Sequence, residues 1–377
     1  MKTFAVLFGL CWLSLSCGKK EPFSVVEVDE PVFVENTVFS SFEDLTSPRF
    51  NTFREKYKLD TVFHGEEDEF ERMLVLRDWI RGVIDIGDFE DDYPGDGYAD
   101  RIVDAGLKGQ GFHCGHYMIV QNAVMNSYGY VTRCLGAGPG VKGGPDGHHG
   151  INEIWSNKFH KWFLSDAKYN HHFEKDGIPQ SALEIRDAFL KNKAADLVLV
   201  KGRERIPITS DGVANKDGKM VQWTKERFAQ TYTWIEWEAG NNRFTGWPEP
   251  GDAIDHLNVY ADDYFKNNTW IWDNKPHWSY KTEFMIPIAD RNAIEWTPNT
   301  VKADVKIDGD KAIVKLHSDT PNLKSYQMRL SSENEWRDVR DSLSIELADD
   351  RNELSFRTVN LAGVAGVPSR VVVARGK

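Results

Sequence analysis

The chain has 377 residues, 58 acidic against 46 basic, and a formal net charge of −12 with 41% apolar residues. That is the composition of a globular protein long enough for about two domains. No stripe of lysine and arginine of the kind phosphate contact requires is present, which argues against nucleic acid as a partner.

Residues 1–17, "MKTFAVLFGLCWLSLSC", place Lys2 before an apolar run from Phe4 to Leu15 and then small residues, the layout of an export signal. The run is too short to span a bilayer. "LSLSC" before "GKKE" resembles a bacterial lipoprotein signal, which implies lipid attachment at Cys17 and a membrane anchor on an exported chain. Ser14 stands where such signals prefer leucine, and ordinary secretion is the alternative. Cys11 leaves with the signal, so Cys114 and Cys134 remain, and one disulfide between them is a reading to carry forward.

Residues 18–60 read as a mixed polar segment. In 66–84, Phe70, Met73, Leu74, Leu76, Trp79, Ile80 and Val83 recur at helical spacing, with acids in the first turn that suit the helix dipole. The acid-rich stretch that follows reads as a loop. Asp88, Glu90 and Asp92 alternate as in a calcium loop, but the glycine and closing glutamate are misplaced.

"GQGFHCGHYMIV" (109–120) opens a second helix, whose apolar face runs through Tyr117, Val120, Val124 and Tyr128. Cys114 therefore sits at a helix N-terminus, where partial positive charge favours the thiolate. "GYVTRCLGA" reads as a strand before a Gly-rich loop. "HHGINEIW" and "HKWFLSDA", joined by "SNKF", read as a hairpin. A nucleophilic thiol needs a base and an acid to orient it, and His148 or His149 with Asp166 is able to supply both.

These segments resemble the transglutaminase-like superfamily, whose fold is related to papain-like cysteine proteases. The resemblance covers about residues 65–175. It rests on Cys114 at a helix start, on His149 with Glu153 four residues later, and on Trp162 followed by Asp166. It selects His149 over His148 and implies that Cys114 attacks a carbonyl, His149 moves the proton and Asp166 holds the imidazole. Gly150 and Ile151 stand where the family has Ala and Trp, which bears on substrate choice. The Cys114 N–H and Gln110 are the oxyanion candidates, and His113, His116, His148, Tyr169 and Asn170 are candidates to line the cleft. "HCGH" matches no familiar zinc set, so neither metal nor cofactor is expected.

The stretch 177–296 is rich in tryptophan and is expected to pack on a core formed by residues 61–176. Most such rings build cores, although Trp247 and Trp272 are candidates for stacking on sugar. Residues 297–377 alternate around an Asp-Gly turn and a Gly-rich turn, as in a small β-sandwich of the immunoglobulin or fibronectin III kind. The expected class is α+β. The expected function is an exported thiol hydrolase of amide bonds in peptides, glycopeptides or cell-wall fragments. The rivals are a polysaccharide-acting enzyme on the same fold and a glycan-binding surface protein without catalysis.

Overall fold

A computed structural model describes residues 21–87, 98–139, 148–214, 219–245, 256–268, 271–272, 275–276 and 285–376. The expected signal segment with Cys11 and Cys17, the acids Asp88, Glu90 and Asp92, most of the Gly-rich loop and Trp247 lie outside the described residues, as does the side chain of Trp272.

Strand β1 (Phe23–Asp29) is followed by helix α1 (Pro48–Tyr57) and helix α2 (Glu69–Val83). The helical spacing read in 66–84 is thus a real helix, started by the Asp68 carboxylate, which accepts from the N–H groups of Phe70 and Glu71. A two-residue strand β2 (Asp85–Ile86) runs parallel to β3 (Gly111–Phe112), and helix α3 (Ala99–Gly106) lies between them in sequence. This short ladder leads the chain into helix α4 (Cys114–Asn126).

Every residue of α4 from His116 to Asn126 is buried. A helix buried on all sides lies in the middle of the protein, and its polar members are paired there, Asn122 with Glu43 and Asn126 with Thr132. Here its flanks meet α2 and α3, and one face lies on strands β4 (Thr132–Gly138) and β5 (His149–Ser156). Tyr128, expected on the helical face, instead follows the last turn.

Strand β5 pairs antiparallel with β6 (Lys161–Ser165) through Trp155 and Trp162, so the hairpin forms as the turn chemistry suggested. The central sheet has six strands in the order Met285–Ile288, Leu257–Tyr260, Trp234–Glu238, β4, β5, β6. Three of the six come from the tryptophan-rich stretch, which therefore extends the sheet itself. Trp234–Glu238 is buried along its whole length because it lies inside the sheet, next to β4. Trp155, Trp162, Trp237 and Trp296 share one core with Leu135, Ile151 and Leu164.

A second, four-stranded sheet contains β7 (His171–Lys175). The last segment folds as a sandwich of a three-stranded and a five-stranded sheet around Val314, Leu316, Met328, Leu354, Phe356 and Val371. Its first hairpin, Lys302–Asp308 with Lys311–His317, turns at Gly309, whose φ of +59° suits glycine. Strand β1 forms one edge of the five-stranded sheet, paired antiparallel with Ser369–Arg375. Helices outside a central sheet that is antiparallel except where Leu257–Tyr260 runs parallel to Met285–Ile288, together with a sandwich, are consistent with the α+β class.

Candidate active site

Cys114 is the first residue of α4 and is partly exposed. His113, the N-cap, holds an extended backbone and gives no side-chain cap. The His116 N–H closes the first turn on the His113 carbonyl, and the helix N-terminus sets partial positive charge beside the sulfur. His149 begins β5, the strand that lies across the start of α4. Gly150, the next residue, comes within van der Waals reach of the Gly115 backbone.

Asp166 follows the last residue of β6 and forms a bridge with His171, each N–H donating to the other's carbonyl. Its carboxylate is 0% exposed. Oδ2 lies 2.6 Å from His149 Nε2, and Oδ1 accepts from the Tyr169 N–H at 3.1 Å. Oδ2 also meets the Tyr232 hydroxyl and His171 Nε2, each at 3.4 Å. The contact with Asp166 through Nε2 leaves His149 Nδ1 for the thiol.

The charges follow from this geometry. Burial alone would raise the Cys114 thiol, but hydrogen bonds and charge from His148 and His149 outweigh it and hold the thiol well below its ordinary value. Burial alone would lower His149, but the Asp166 carboxylate, by charge and hydrogen bond, and then the Cys114 sulfur, raise it to about 9. Burial alone would raise Asp166, but the charges of His149 and His171 and the hydrogen bonds it accepts keep it well below the carboxylate range. The geometry thus favours a thiolate–imidazolium pair backed by the Asp166 carboxylate.

A second layer fixes Asp166 from behind. Arg77, fully buried on α2, donates from Nε to Asn170 Oδ1 at 3.0 Å and from Nη1 to the His171 carbonyl at 3.1 Å. Both Nη atoms also approach His172 Nδ1 at 3.2 Å, and His172 Nε2 lies 2.9 Å from Glu174 Oε1. Burial and the Arg77 charge push His172 down to about 4, so it is neutral, accepts at Nδ1 and donates from Nε2 to Glu174. Gln121, two turns into α4, donates to the Ser165 hydroxyl at 2.7 Å and ties the helix to the end of β6.

The structure thus brings Cys114, His149 and Asp166 together, with His148 as a second ring on the sulfur. Tyr169 is buried with its ring 5.5 Å from His149. Asn170 turns instead to Arg77 and Asp78, with Nδ2 2.6 Å from Asp78 Oδ1. His116 is buried against Phe112, and His113 is exposed. Gln110 is exposed in the turn before β3, its N–H on the Ala105 carbonyl. Glu153, four residues after His149, serves the scaffold. It takes the Arg133 guanidinium at 2.7 Å, the Trp237 indole N–H at 2.8 Å and the Ala182 N–H at 2.7 Å.

Tyr232, Arg77 and His171 adjoin the site without a sequence signal for that role. Tyr232 lies far along the chain, and Arg77 sits on a helix whose apolar pattern marks it only as core. Cys114 and Cys134 are both free thiols. Burial pushes the Cys134 thiol well above its ordinary value, so it is protonated. Among the described residues no group of three His, Cys, Asp or Glu side chains is placed to hold a metal ion.

No family model matches the chain. No curated protein matches it either. Among solved structures, the crystal structure of red sea bream transglutaminase is a weak neighbour, with a TM-score of 0.25 and 11% sequence identity. The match covers 81% of this chain and 54% of the fish protein, so the chain spans about half the length of that neighbour.

Proposed function

We propose that the protein is a thiol hydrolase that cleaves amide bonds through an acyl-enzyme. The observation that carries this reading is the 2.6 Å contact between His149 and Asp166 beside a helix-start thiol that the histidines hold well below its ordinary value. A buried structural cysteine has the opposite character, as Cys134 does.

In the first half-reaction the Cys114 thiolate attacks the carbonyl carbon, the C–S bond forms and the C=O pair moves onto oxygen. The Cys114 N–H, at the positive end of α4, stabilises that oxyanion. The His149 imidazolium gives its proton to the leaving nitrogen, the C–N bond breaks, and an amine departs from a thioester. Water then attacks the thioester while His149 takes its proton, and release of the acid restores the thiolate and imidazolium. Asp166 stays ionised throughout and holds the ring. Transfer to an amine in place of water would use the same groups. We favour hydrolysis on the resemblance to bacterial relatives. Substrates are peptides, glycopeptides or cell-wall fragments, reached from the outer side of a membrane by a chain anchored at Cys17.

The test is Cys114→Ala, assayed on peptide and muropeptide amides. Turnover should vanish while the thermal midpoint stays within about 2 °C, as expected when a partly exposed side chain is cut back. Unchanged turnover would remove the mechanism.

A further inference from the structure

The end of α4 remote from Cys114 closes a separate cavity of about 510 Å³, within the ~300–1,000 Å³ of small-molecule sites. Thirteen residues of helix place it about 18 Å from the thiol, at 1.5 Å per residue. Its walls are α1, α2, the turn after α4 and the sandwich turn 361–364.

Two arginines line it, Arg54 from α1 and Arg72 from α2. In a chain of net charge −12, arginines normally find carboxylates, yet among the described residues neither of these forms an ion pair. Arg54 gives its N–H groups to neutral acceptors, the Ser127 carbonyl and Asn51 Oδ1. Arg72 lies 4.0 Å over the Phe63 ring, and its Nε is buried without a hydrogen-bond partner. The nearby Asp60 carboxylate is engaged by the Tyr128 hydroxyl at 2.8 Å. The Tyr128 ring in turn lies 5.3 Å from the Arg54 guanidinium and 5.8 Å from that of Arg72, so both forks are fixed in place. Tyr130 adds a phenol at the wall.

A guanidinium fork matches the planar edge of a carboxylate or the oxygens of a phosphate. The cavity is larger than a bare ion. Beside apolar Leu45, Phe50 and Val364, its Ser127 and Tyr128 hydroxyls donate inward, to the Val124 carbonyl and Asp60, which leaves their oxygens as acceptors for the hydroxyls of a ligand. We propose that it binds a small polyhydroxylated acid, a sugar acid or sugar phosphate, with its oxyanion on Arg72 and Arg54. The ligand would lie between the helical layer and the sandwich.

The test uses the full chain carrying Cys114→Ala, so its outcome does not depend on thiol chemistry. Titration calorimetry and thermal shift are run with D-glucuronate, D-glucose 6-phosphate and neutral D-glucose. At least one acid should bind and raise the midpoint, whereas glucose should not, and the better acid identifies carboxylate or phosphate as the anion. Arg72→Met should weaken that acid by about tenfold or more, and Arg72→Lys by less, because the charge survives without the fork. Tyr130→Phe serves as a second variant if Arg72→Met does not fold, with a loss of about threefold from one hydrogen bond. Failure of both acids to bind, equal binding of glucose, or affinity untouched by the variants that fold would overturn the proposal.

Discussion

Gly150 and Gly115 are in backbone contact: a Cβ added at Gly150 would meet the Gly115 Cα at 3.2 Å and its nitrogen at 3.3 Å. That approach lets the first turn of α4 and the first residues of β5 share one small space, with Cys114 beside Gly115 and His149 beside Gly150. A methyl group at this point must push the helix and strand apart by tenths of an ångström. Gly150→Ala is expected to leave a folded protein but slow turnover by roughly 10–100-fold, since small misplacements of reacting groups are costly. Gly150→Val should do more. Activity together with thermal melting separates the two effects, and full activity in Gly150→Val would show that the contact does not set the pair.

Iodoacetamide labelling of Cys114 should be nearly independent of pH across neutrality. An ordinary thiol would show a rate rising toward a pKa of about 8.5, whereas His148 and His149 hold this thiol well below its ordinary value. His148 and His149 both lower it, so replacing either with alanine should restore part of the rise. A wild-type profile that climbs above pH 8 would contradict the ion pair.

The alkaline limit of turnover should fall near pH 9. His149 is raised to about 9, so its imidazolium, which protonates the leaving group, is present below that pH and lost above it. Asp166→Asn removes the charge that raises it. The limit should then move toward the ordinary histidine value of about 6.5, and turnover should drop by up to about 10⁴-fold. The pH–rate profiles of both proteins decide this, and a limit unmoved in the variant would rule out Asp166 as the cause.

Glu153 should matter for stability and little for chemistry. It is buried with Arg133, and Glu153→Ala strands that guanidinium along with the Trp237 and Ala182 N–H groups. Breaking such a buried pair costs about 3–5 kcal/mol. Urea unfolding should show a loss of that size. A midpoint unchanged by the substitution would mean that the pair relaxes into water.

What the sequence made legible was local. The apolar spacing of Phe70 to Val83, the buried run after Cys114 and the turn between Trp155 and Trp162 each depend on neighbours a few residues apart, and each reads directly as helix or hairpin. Cys114, His149 and Asp166 lie at the ends of these elements, and the family resemblance, which chose His149 over His148, named residues that the fold brings together. Tyr232 and Arg77 reach Asp166 and its neighbours only because the sheet and α2 fold over, and nothing in their flanking residues encodes that distance. The strand Trp234–Glu238 was hidden for a similar reason. Its aromatic residues suit a core or a platform equally, and only pairing with β4 decides between them.

Strand β1 sits at the edge of a sheet otherwise built from the final eighty or so residues, its backbone paired with Ser369–Arg375 and its Phe23 and Glu27 tied into the sandwich core and to Arg351. Its sequence, FSVVEVD, is rich in valine, and Val26 and Val28 are already half exposed. Cutting the sandwich away to isolate the Cys114 body would leave that ribbon with bare N–H and C=O groups on both sides, a ready template for sticking to other copies. The workable boundary for a minimal Cys114 body therefore has to be drawn twice, once after Trp296 and once beyond Asp29.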